Sequence, residues 1–470
     1  MSATFLHGVE TIEINSGVNP VTIVRSSVIA LVGTAPLGTK NTPILVLSPN
    51  DAVQFGQQLP GFTIPQALDA IFKQGPATVV VVNSFDDAVN TTQISAEART
   101  ITNAKITLSS APIGAVEVFL TDGSTPFTGT LNVDYSIDAF GNFVALSAVA
   151  AEGLELKFRY KQIDLGTITA AQIIGTNTAG VRTGTKCFDL IFNTFGFTPK
   201  ILIAPVYVEL LAVATELITI APNFRAIALI DAPVTTTVTQ AIAGRGPAGT
   251  INFNTSSDRA YLLNPHLKVY DANTDSNVNA PYSQFMAGVI AAVDLNFGYW
   301  NSPSNREIKG IVGTEYLVTA ALNDANTDAN LMNEKGITTT FTGYGTGTRT
   351  WGNRSASFPT STDPKNFIVI RRIADIVHES LEQAMLPFID KPLNQATIDA
   401  IRETGNSFFR TLIGRGAVLA GSKCVYSAEN TAIELAAGHV TFDLVFMGPT
   451  PAERITFKSF LDINLLAQIV

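Results

Sequence analysis

The sequence predicts a multidomain protein of the α/β class, with an inserted β-rich domain that makes the whole chain α+β. The chain has 470 residues, more than the roughly 250–300 residues at which one hydrophobic core stops growing. Apolar runs typical of buried strands alternate with helical stretches at both ends of the chain. The part between them carries short alternating strands instead. We therefore expect two or three hydrophobic cores, one of them in the insertion.

The N-terminal part has a β-α-β pattern. Residues 25–38 (RSSVIALVGTAPLG) predict a buried strand followed by a Gly/Pro loop, and Thr78–Asn83 (TVVVVN) predict a second strand after a helix near residues 65–73. Between residues 88 and 185 the segments AKITLSS, AVEVFLT, LNVDYSID, FVALSA and LELKFRYK alternate and are separated by turn residues. These segments predict an inserted β-sandwich or small barrel.

The α/β pattern then returns. Residues 201–208 and 225–233 are apolar strands of the kind found in a parallel sheet buried on both faces, with a helix near 210–220 between them. A helix over 280–297 leads into a loop at 298–306. Further on, FIVIRR (367–372) predicts a strand, followed by a helix that ends at Pro387. A last helix begins at the N-cap Asn394 and ends near Gly414.

The C-terminal segment, residues 454–469, has a period of two. Its apolar side is formed by Ile455, Phe457, Leu461, Ile463 and Leu465, followed by Ile469. Such a strand can complete a sheet of its own chain or add to a sheet edge of a neighbouring subunit. The residues alone favour its own sheet.

Composition excludes several classes of partner. Hydrophobic residues make up 46% of the chain and charged residues 15%, below the usual charged fraction of about 25%, so partners are expected to cover much of the surface. The net charge of -9 argues against direct nucleic-acid binding. The first residues resemble no secretory signal, and the apolar runs are too short to span a bilayer. We expect synthesis in the cytoplasm, no membrane insertion, and two buried cysteines, Cys187 and Cys424.

No motif predicts a cofactor, a metal site or catalysis. The Gly-rich segments at 343–347 and 244–250 lack the helix or the Lys of a phosphate loop. The pentapeptide DANTD occurs at 271–275 and 324–328, but neither copy has the Gly and Glu of a calcium loop. Structural roles are expected for His7, His266, His378 and His439, and no active-site Ser turn is recognisable. We predict that the chain is not an enzyme.

Four segments resemble contractile phage tail sheath proteins. The loop at 296–305 is similar to the family signature G-x-W-x-S-P-S-N through Trp300, Ser302, Pro303, Ser304 and Asn305. Trp351, Gly352, Asn353 and Arg354 resemble W-G-N-R-T, with Ser355 departing from it. The opening FLHGVETIEI (5–14) and IVIRRIADIVHESLEQAM (368–385) resemble two further family segments.

The resemblance implies a division of the chain into six parts. These are an N-terminal arm (1–20), the first part of the α/β core (21–87), the inserted β-sandwich (88–185), a subtilisin-like α/β domain (186–360), a C-terminal α/β sheath domain (361–450) and a C-terminal arm strand (451–470). The subtilisin-like name carries no chemistry: Asp231 and His266 could belong to a triad, but no active-site Ser turn follows them.

The resemblance also implies a function. The chain would polymerise into stacked hexameric rings around a tail tube, contact baseplate and tail terminator proteins, and contract to drive the tube through a host envelope. It would be assembled in the bacterial cytoplasm and reside in the virion tail. Inter-subunit strands would carry Ile12, Ile14, Ile455, Phe457, Leu461, Ile463 and Leu465.

Two other classes and the role of the insertion stay open. A hydrolase with a degenerate subtilisin-like fold would react with a serine-directed probe, and a non-contractile shell or adhesin would form a different polymer. The insertion would project outward, where decoration, lattice spacing and glycan binding are all compatible with its sequence.

Overall fold

The computed structural model describes residues 21–246, 249–343 and 345–464. Residues 21–90 form β1 (Val28–Gly33), β2 (Ile44–Val46), α1 (Pro49–Ala52), α2 (Ile64–Gln74) and β3 (Thr78–Asn83). The insertion contributes β4 (Thr91–Thr100), β5 (Lys105–Thr107), β6 (Ile113–Phe119), β7 (Tyr135–Ile137), β8 (Asn142–Ala145) and β9 (Glu155–Ile163).

The next part of the chain completes a central sheet and its helices. It consists of α3 (Ala170–Ile174), β10 (Asn177–Thr178), β11 (Val181–Arg182), α4 (Ile191–Phe195), β12 (Ile201–Ile203), α5 (Leu211–Phe224), β13 (Ile227–Asp231), α6 (Val238–Ala243), β14 (Ala260–Leu263), β15 (Leu267–Asp271), β16 (Ser276–Ala280), α7 (Tyr282–Phe297), β17 (Gly313–Thr314), α8 (Asp328–Glu334), β18 (Ile337–Gly343) and β19 (Gly347–Trp351). The C-terminal part forms α9 (Ile368–Met385), α10 (Gln395–Gly414), β20 (Lys423–Tyr426), α11 (Ala432–Ala436) and β21 (Phe442–Val445).

The central sheet has the strand order β19-β18-β14-β13-β12-β1-β3-β2. Its inner strands are parallel, as the apolar runs predicted, and the two edge strands β2 and β19 pair antiparallel with their neighbours. Ile29 and Leu31 of β1 enter the hydrophobic cluster on one face, with α2, α7, α9 and α10. Val28, Ala30 and Val32 enter the cluster on the other face, with α3, α5 and α8. Successive strand residues therefore bury both faces of the sheet.

The predicted strand FIVIRR is wrong, because Ile368 already begins the 18-residue helix α9. Phe367 is its extended N-cap, and Ile368, Val369 and Ile370 are all buried. A short apolar run with no polar face hides the helical period, so it cannot be distinguished from a buried strand by pattern alone. The other predicted helices are confirmed as α2, α5, α7 and α10, and Asn394 caps α10 by accepting from Thr397 N.

The insertion is β-rich, as predicted. Its strands form two three-stranded sheets, β4-β9-β6 and β5-β8-β7, which share one hydrophobic cluster around Phe143 and Phe158. After β9, Ile168 and Ile173 pack in a cluster of the central sheet. The description as a sandwich and the boundaries 88–185 stay predictions.

Candidate functional site

The two signature segments lie against each other. The Ser302 hydroxyl donates to Oδ1 of Asn353, and the backbone N–H of Gly352 donates to the Ser304 hydroxyl at 3.0 Å. The Thr350 hydroxyl donates to the carbonyl of Pro303 at 2.6 Å. The serines of the first signature therefore hold the Gly-Asn pair of the second; we name residues 298–305 and 351–354 together the signature junction.

Local chain geometry explains why the first signature forms a tight loop. The helix α7 ends at Phe297 and is followed by Gly298, whose φ of 94° favours glycine and whose Cβ position would lie 2.5 Å from the Trp300 ring. Ser302 accepts from the N–H of Ser304 at 3.1 Å, which closes a side-chain turn. Asn305 takes the left-handed conformation, with φ 58°, and its N–H donates to Thr350 O at 2.7 Å.

The two signature tryptophans are packing residues. Trp300 is partly buried against the hydrophobic cluster that contains α7 and α9, and its ring meets Tyr299 edge to face at 5.1 Å. Trp351 stacks on Phe341 of β18 at 4.9 Å. Both rings thus fix the junction to the central sheet.

Arg354 connects the junction to two other parts of the chain. Its Nη1 donates to Asn366 Oδ1 at 2.6 Å, directly before α9. Its Nε donates to the two carboxylate oxygens of Glu453 at 2.9 and 3.1 Å. Glu453 is the last residue before the C-terminal segment, so the signature reaches the base of the predicted arm.

The C-terminal segment leaves the body of the protein with its apolar side chains uncovered. Ile455, Phe457, Leu461 and Ile463 are between 72% and 99% exposed, and Phe460 is 87% exposed. Residues 454–462 form neither helix nor strand and do not pair with any strand of the described chain. Pairing within its own sheet, which the residues alone favoured, is therefore not observed up to residue 464. Strand formation with a neighbour stays a prediction, and Ile12, Ile14 and Leu465 lie outside the described residues.

The helix α9 carries buried ion pairs that the sequence did not reveal. Asp375 accepts two hydrogen bonds from Arg259, at 2.7 and 2.8 Å, and a third from Arg371 at 2.8 Å. Arg372 donates to Asp294 of α7 at 3.0 Å. Further along the helix, Glu379 pairs with Lys200. These contacts attach α9 to the central domain. The sequence signal that could have indicated them was the helical spacing of charged residues within a strongly apolar segment.

Asp231, His266 and Ser283 do not form a catalytic triad. Asp231 accepts from the Ser283 N–H at 2.7 Å and from its hydroxyl, whereas His266 Nε2 contacts Glu209 at 3.0 Å. All three residues are buried. Burial raises the pKa of Asp231 to about 6, despite His266 and Ser283. Burial lowers the pKa of His266, but the bond to Glu209 and the neighbouring carboxylates raise it above the usual value. The serine thus faces a carboxylate and has no histidine as a base.

The remaining sequence motifs have structural roles. Gly343 and Gly347 pair at the β18–β19 turn, and Asp271 begins the turn between β15 and β16. Asp324 accepts from Asn326 N within an exposed loop. Cys187 and Cys424 are buried, as predicted. Within the ranges described, no helix has the length and hydropathy needed to cross a bilayer.

Comparison with known proteins now identifies the class of protein. Residues 180–356 match the family model of the phage tail sheath protein central domain, and residues 360–461 match that of the phage tail sheath C-terminal domain. The chain therefore belongs to the phage tail sheath family. It is a structural protein and not an enzyme.

Individual relatives agree with this assignment. The chain is 44% identical over 463 residues to the tail sheath protein of Burkholderia phage BcepMu, covering 98% of this chain and 97% of the relative. It is 29% identical over 305 residues to the tail sheath protein of Escherichia phage P2, covering 64% of this chain and 73% of the relative.

A solved structure shares the fold over almost the whole chain. The sheath complex of the extracellular contractile injection system PVC, in its contracted state, aligns with a TM-score of 0.61 at 17% identity, covering 99% of this chain and all of the other. The helical sheath of the anti-feeding prophage in its contracted state gives the same TM-score and identity, with 98% of this chain covered.

Proposed function

We propose that this chain polymerises into stacked hexameric rings around a tail tube and contracts to drive that tube through the envelope of a host cell. In this proposal the sheath contacts the tube, baseplate and tail terminator proteins, is assembled in the bacterial cytoplasm and becomes part of the virion tail. Family membership supports the sheath role. The observation that carries polymerisation is the exposed apolar C-terminal segment.

The exposed segment needs a partner. Five large apolar side chains between Ile455 and Ile463 are exposed, and apolar surface of this kind is favourably removed from water. Four of them have odd numbers, so a strand would place them on one side: Ile455, Phe457, Leu461 and Ile463. We infer that residues 454–469 add as a strand to a neighbouring subunit and that residues 11–15 of the N-terminal arm do the same.

The hairpin of β20 and β21 is the proposed acceptor. It pairs Lys423–Tyr426 with Phe442–Val445 and forms a sheet of only two strands among the described residues. Two-stranded sheets are marginal in isolation. Asn406 of α10 bonds the N–H and the C=O of Cys424 on β20, whereas β21 pairs with no strand but β20 among the described residues, so its outer edge is the one open to an added strand. One added strand would satisfy one edge. Main-chain pairing also allows the linked bodies to rotate as the lattice changes.

Contraction is proposed as a transition between two lattices of the same subunits. The extended lattice would be metastable, and the contracted one would bury more surface between subunits. The free energy of subunit association would then supply the work, with the strand links keeping the rings connected. The solved relatives in contracted states share the fold with this chain.

Electron microscopy of the full chain and of a truncation ending at Glu453 tests the proposal. We expect striated hollow tubes from the full chain and folded single subunits from the truncation, since residues 454–464 are exposed throughout. Phe457→Asp should also prevent tube formation, whereas the matched control Thr456→Asp, on the opposite side of the strand, should not. Normal tubes from the truncation would refute the role of the arm.

A further inference from the structure

The point at which the C-terminal segment leaves the body is held by a partly buried ion pair. Nε of Arg354 donates to both carboxylate oxygens of Glu453, and Nη2 also contacts that carboxylate. The side chain of Arg354 is 19% exposed and that of Glu453 is 34% exposed. Bidentate pairing of this kind fixes the orientation of both groups as well as their distance.

The arginine is oriented in advance by its surroundings. The guanidinium carbon lies 3.6 Å from the centroid of the Phe367 ring and 4.6 Å from that of Phe358. The Asn366 amide oxygen accepts from Nη1 at 2.6 Å. Arginine stacks on aromatic faces in this way, which leaves its remaining donors directed at one acceptor. The guanidinium group of Arg354 is therefore held in position whether or not it is hydrogen-bonded to Glu453.

A second contact fixes the chain just before the ion pair. Gly448 is pressed against α9 so closely that a Cβ would lie 2.5 Å from Ile373, and the N–H of Leu419 donates to Met447 O at 2.8 Å. The four residues between Gly448 and Glu453 include Pro449 and Pro451, whose rings restrict the backbone. Both ends of this short, stiff connection are thus attached to the body.

We propose that Arg354 is a positioning residue that clamps Glu453 and so fixes the direction in which the C-terminal arm leaves the subunit. This inference rests on the proposed function where it concerns assembly. Through the signature junction, the clamp connects the arm to the central sheet and to the start of α9. The signature would then set where a subunit presents its linking strand.

Limited proteolysis of the isolated subunit tests the clamp independently of assembly. Trypsin can cleave after Arg454, beside the clamp, and after Lys458, four residues further along the exposed arm. Cleavage in the native state follows the population of locally opened chain. We expect Arg354→Ala to accelerate cleavage at Arg454 about tenfold relative to Lys458, the effect of losing one charge-assisted pair.

Two further variants control this measurement. Arg159→Ala removes a comparable arginine in the insertion, which pairs with Glu117 and lies over Phe119, and should leave the ratio unchanged. Glu453→Gln removes the clamp from the exposed side, where misfolding is not expected. For this variant, the cleavage rate at Arg454 and at Lys458 is divided by the rate at the same bond in a free peptide of residues 449–464 with the same residue at 453. This division removes the effect of residue 453 on the sequence preference of trypsin. Unchanged ratios in both Arg354→Ala and Glu453→Gln would overturn the proposal.

Assembly separates this proposal from the proposed function. We expect Arg354→Ala to form fewer or irregular tubes, and the charge-swapped pair Arg354→Glu with Glu453→Arg to recover part of the loss. If the truncation at Glu453 fails to assemble but Arg354→Ala and Glu453→Gln assemble normally, the clamp has no role in assembly and the proposed function stands. If the truncation assembles normally, the proposed function fails, and the proteolysis ratio still decides whether the clamp exists.

Discussion

Asp375 should be among the most sensitive single positions in the protein. Its carboxylate is 97% buried and accepts three hydrogen bonds from two arginines, at 2.7, 2.8 and 2.8 Å. Both arginines, Arg259 and Arg371, are themselves buried. Removing one partner from a buried ion pair costs about 3–5 kcal/mol, because it leaves uncompensated charge in the interior. We expect Asp375→Ala to lower the free energy of unfolding by that amount.

Denaturant unfolding followed by tryptophan fluorescence measures this loss. The two tryptophans, Trp300 and Trp351, both lie in the signature junction on the central sheet, so the signal reports the domain to which α9 is attached. The matched control is Asp399→Ala. That carboxylate pairs with Arg402 at 2.9 Å on α10, but both side chains are more than 40% exposed, so the loss should stay below about 0.5 kcal/mol.

A double variant separates charge burial from packing. Replacing Arg259 by Met together with Asp375 by Leu removes both charges of the bidentate pair while retaining apolar volume. Hydrophobic replacement of a buried pair is often neutral, so the double variant should be more stable than Asp375→Ala. A loss below about 1 kcal/mol for Asp375→Ala, or equal losses at 375 and 399, would refute the assignment of α9's attachment to these ion pairs.

Three further perturbations follow from other parts of the structure. The pKa of Asp231 is raised from 3.8 to about 6, so the free energy of unfolding should fall by about 2 kcal/mol as pH rises from 4 to above 6, and Asp231→Asn should flatten this dependence in a denaturation series. Replacing residues 92–162 by a short Gly-Ser linker should give a folded subunit by circular dichroism, because Thr91 pairs with Ile163, whereas removing 88–185 should not. Val206→Gly should stabilise by about 1 kcal/mol, since Val206 has φ 69°, and a thermal melt in which Val206→Gly is no more stable than the parent would contradict this.

The sign for Asp231 follows from its raised pKa. At pH 4 the folded state holds the proton while more than half of the unfolded chains have released it, because the unfolded pKa is 3.8, so the native state binds more protons. Stability from this group is therefore highest at low pH and decreases until the pH exceeds the folded pKa of about 6. His266 has the same direction, because its pKa is also raised: its contribution is present below pH 6.5 and is lost as pH rises through the folded pKa.

Local sequence pattern predicted the elements whose own residues show a continuous apolar run or a clear helical spacing. The apolar runs identified β1, β3 and β13, and the helical spacing identified α7 and α10. Pattern failed at the start of α9, where three successive buried residues have no polar side, although it predicted the rest of this helix. It could not reveal the contacts of the candidate site either: Ser302 and Asn353 are 51 positions apart, and Arg259 and Asp375 are 116 apart. Such pairs depend on how the sheet orders its strands, which no single segment encodes.

The absence of a triad illustrates why contacts, and not order along the chain, decide function. Asp231, His266 and Ser283 occur in the order that a subtilisin-type triad requires. In the structure Asp231 ends β13 and accepts from Ser283 at the first turn of α7, while His266, after β14, turns to Glu209. Asp231 accepts hydrogen bonds from both donors of Ser283, and His266 contacts Glu209 instead, so the histidine is not placed to take the proton of the serine hydroxyl. Three suitable residue types in a suitable order therefore form a buried structural cluster, and neither the fold nor the order of the residues gives this chain a catalytic function.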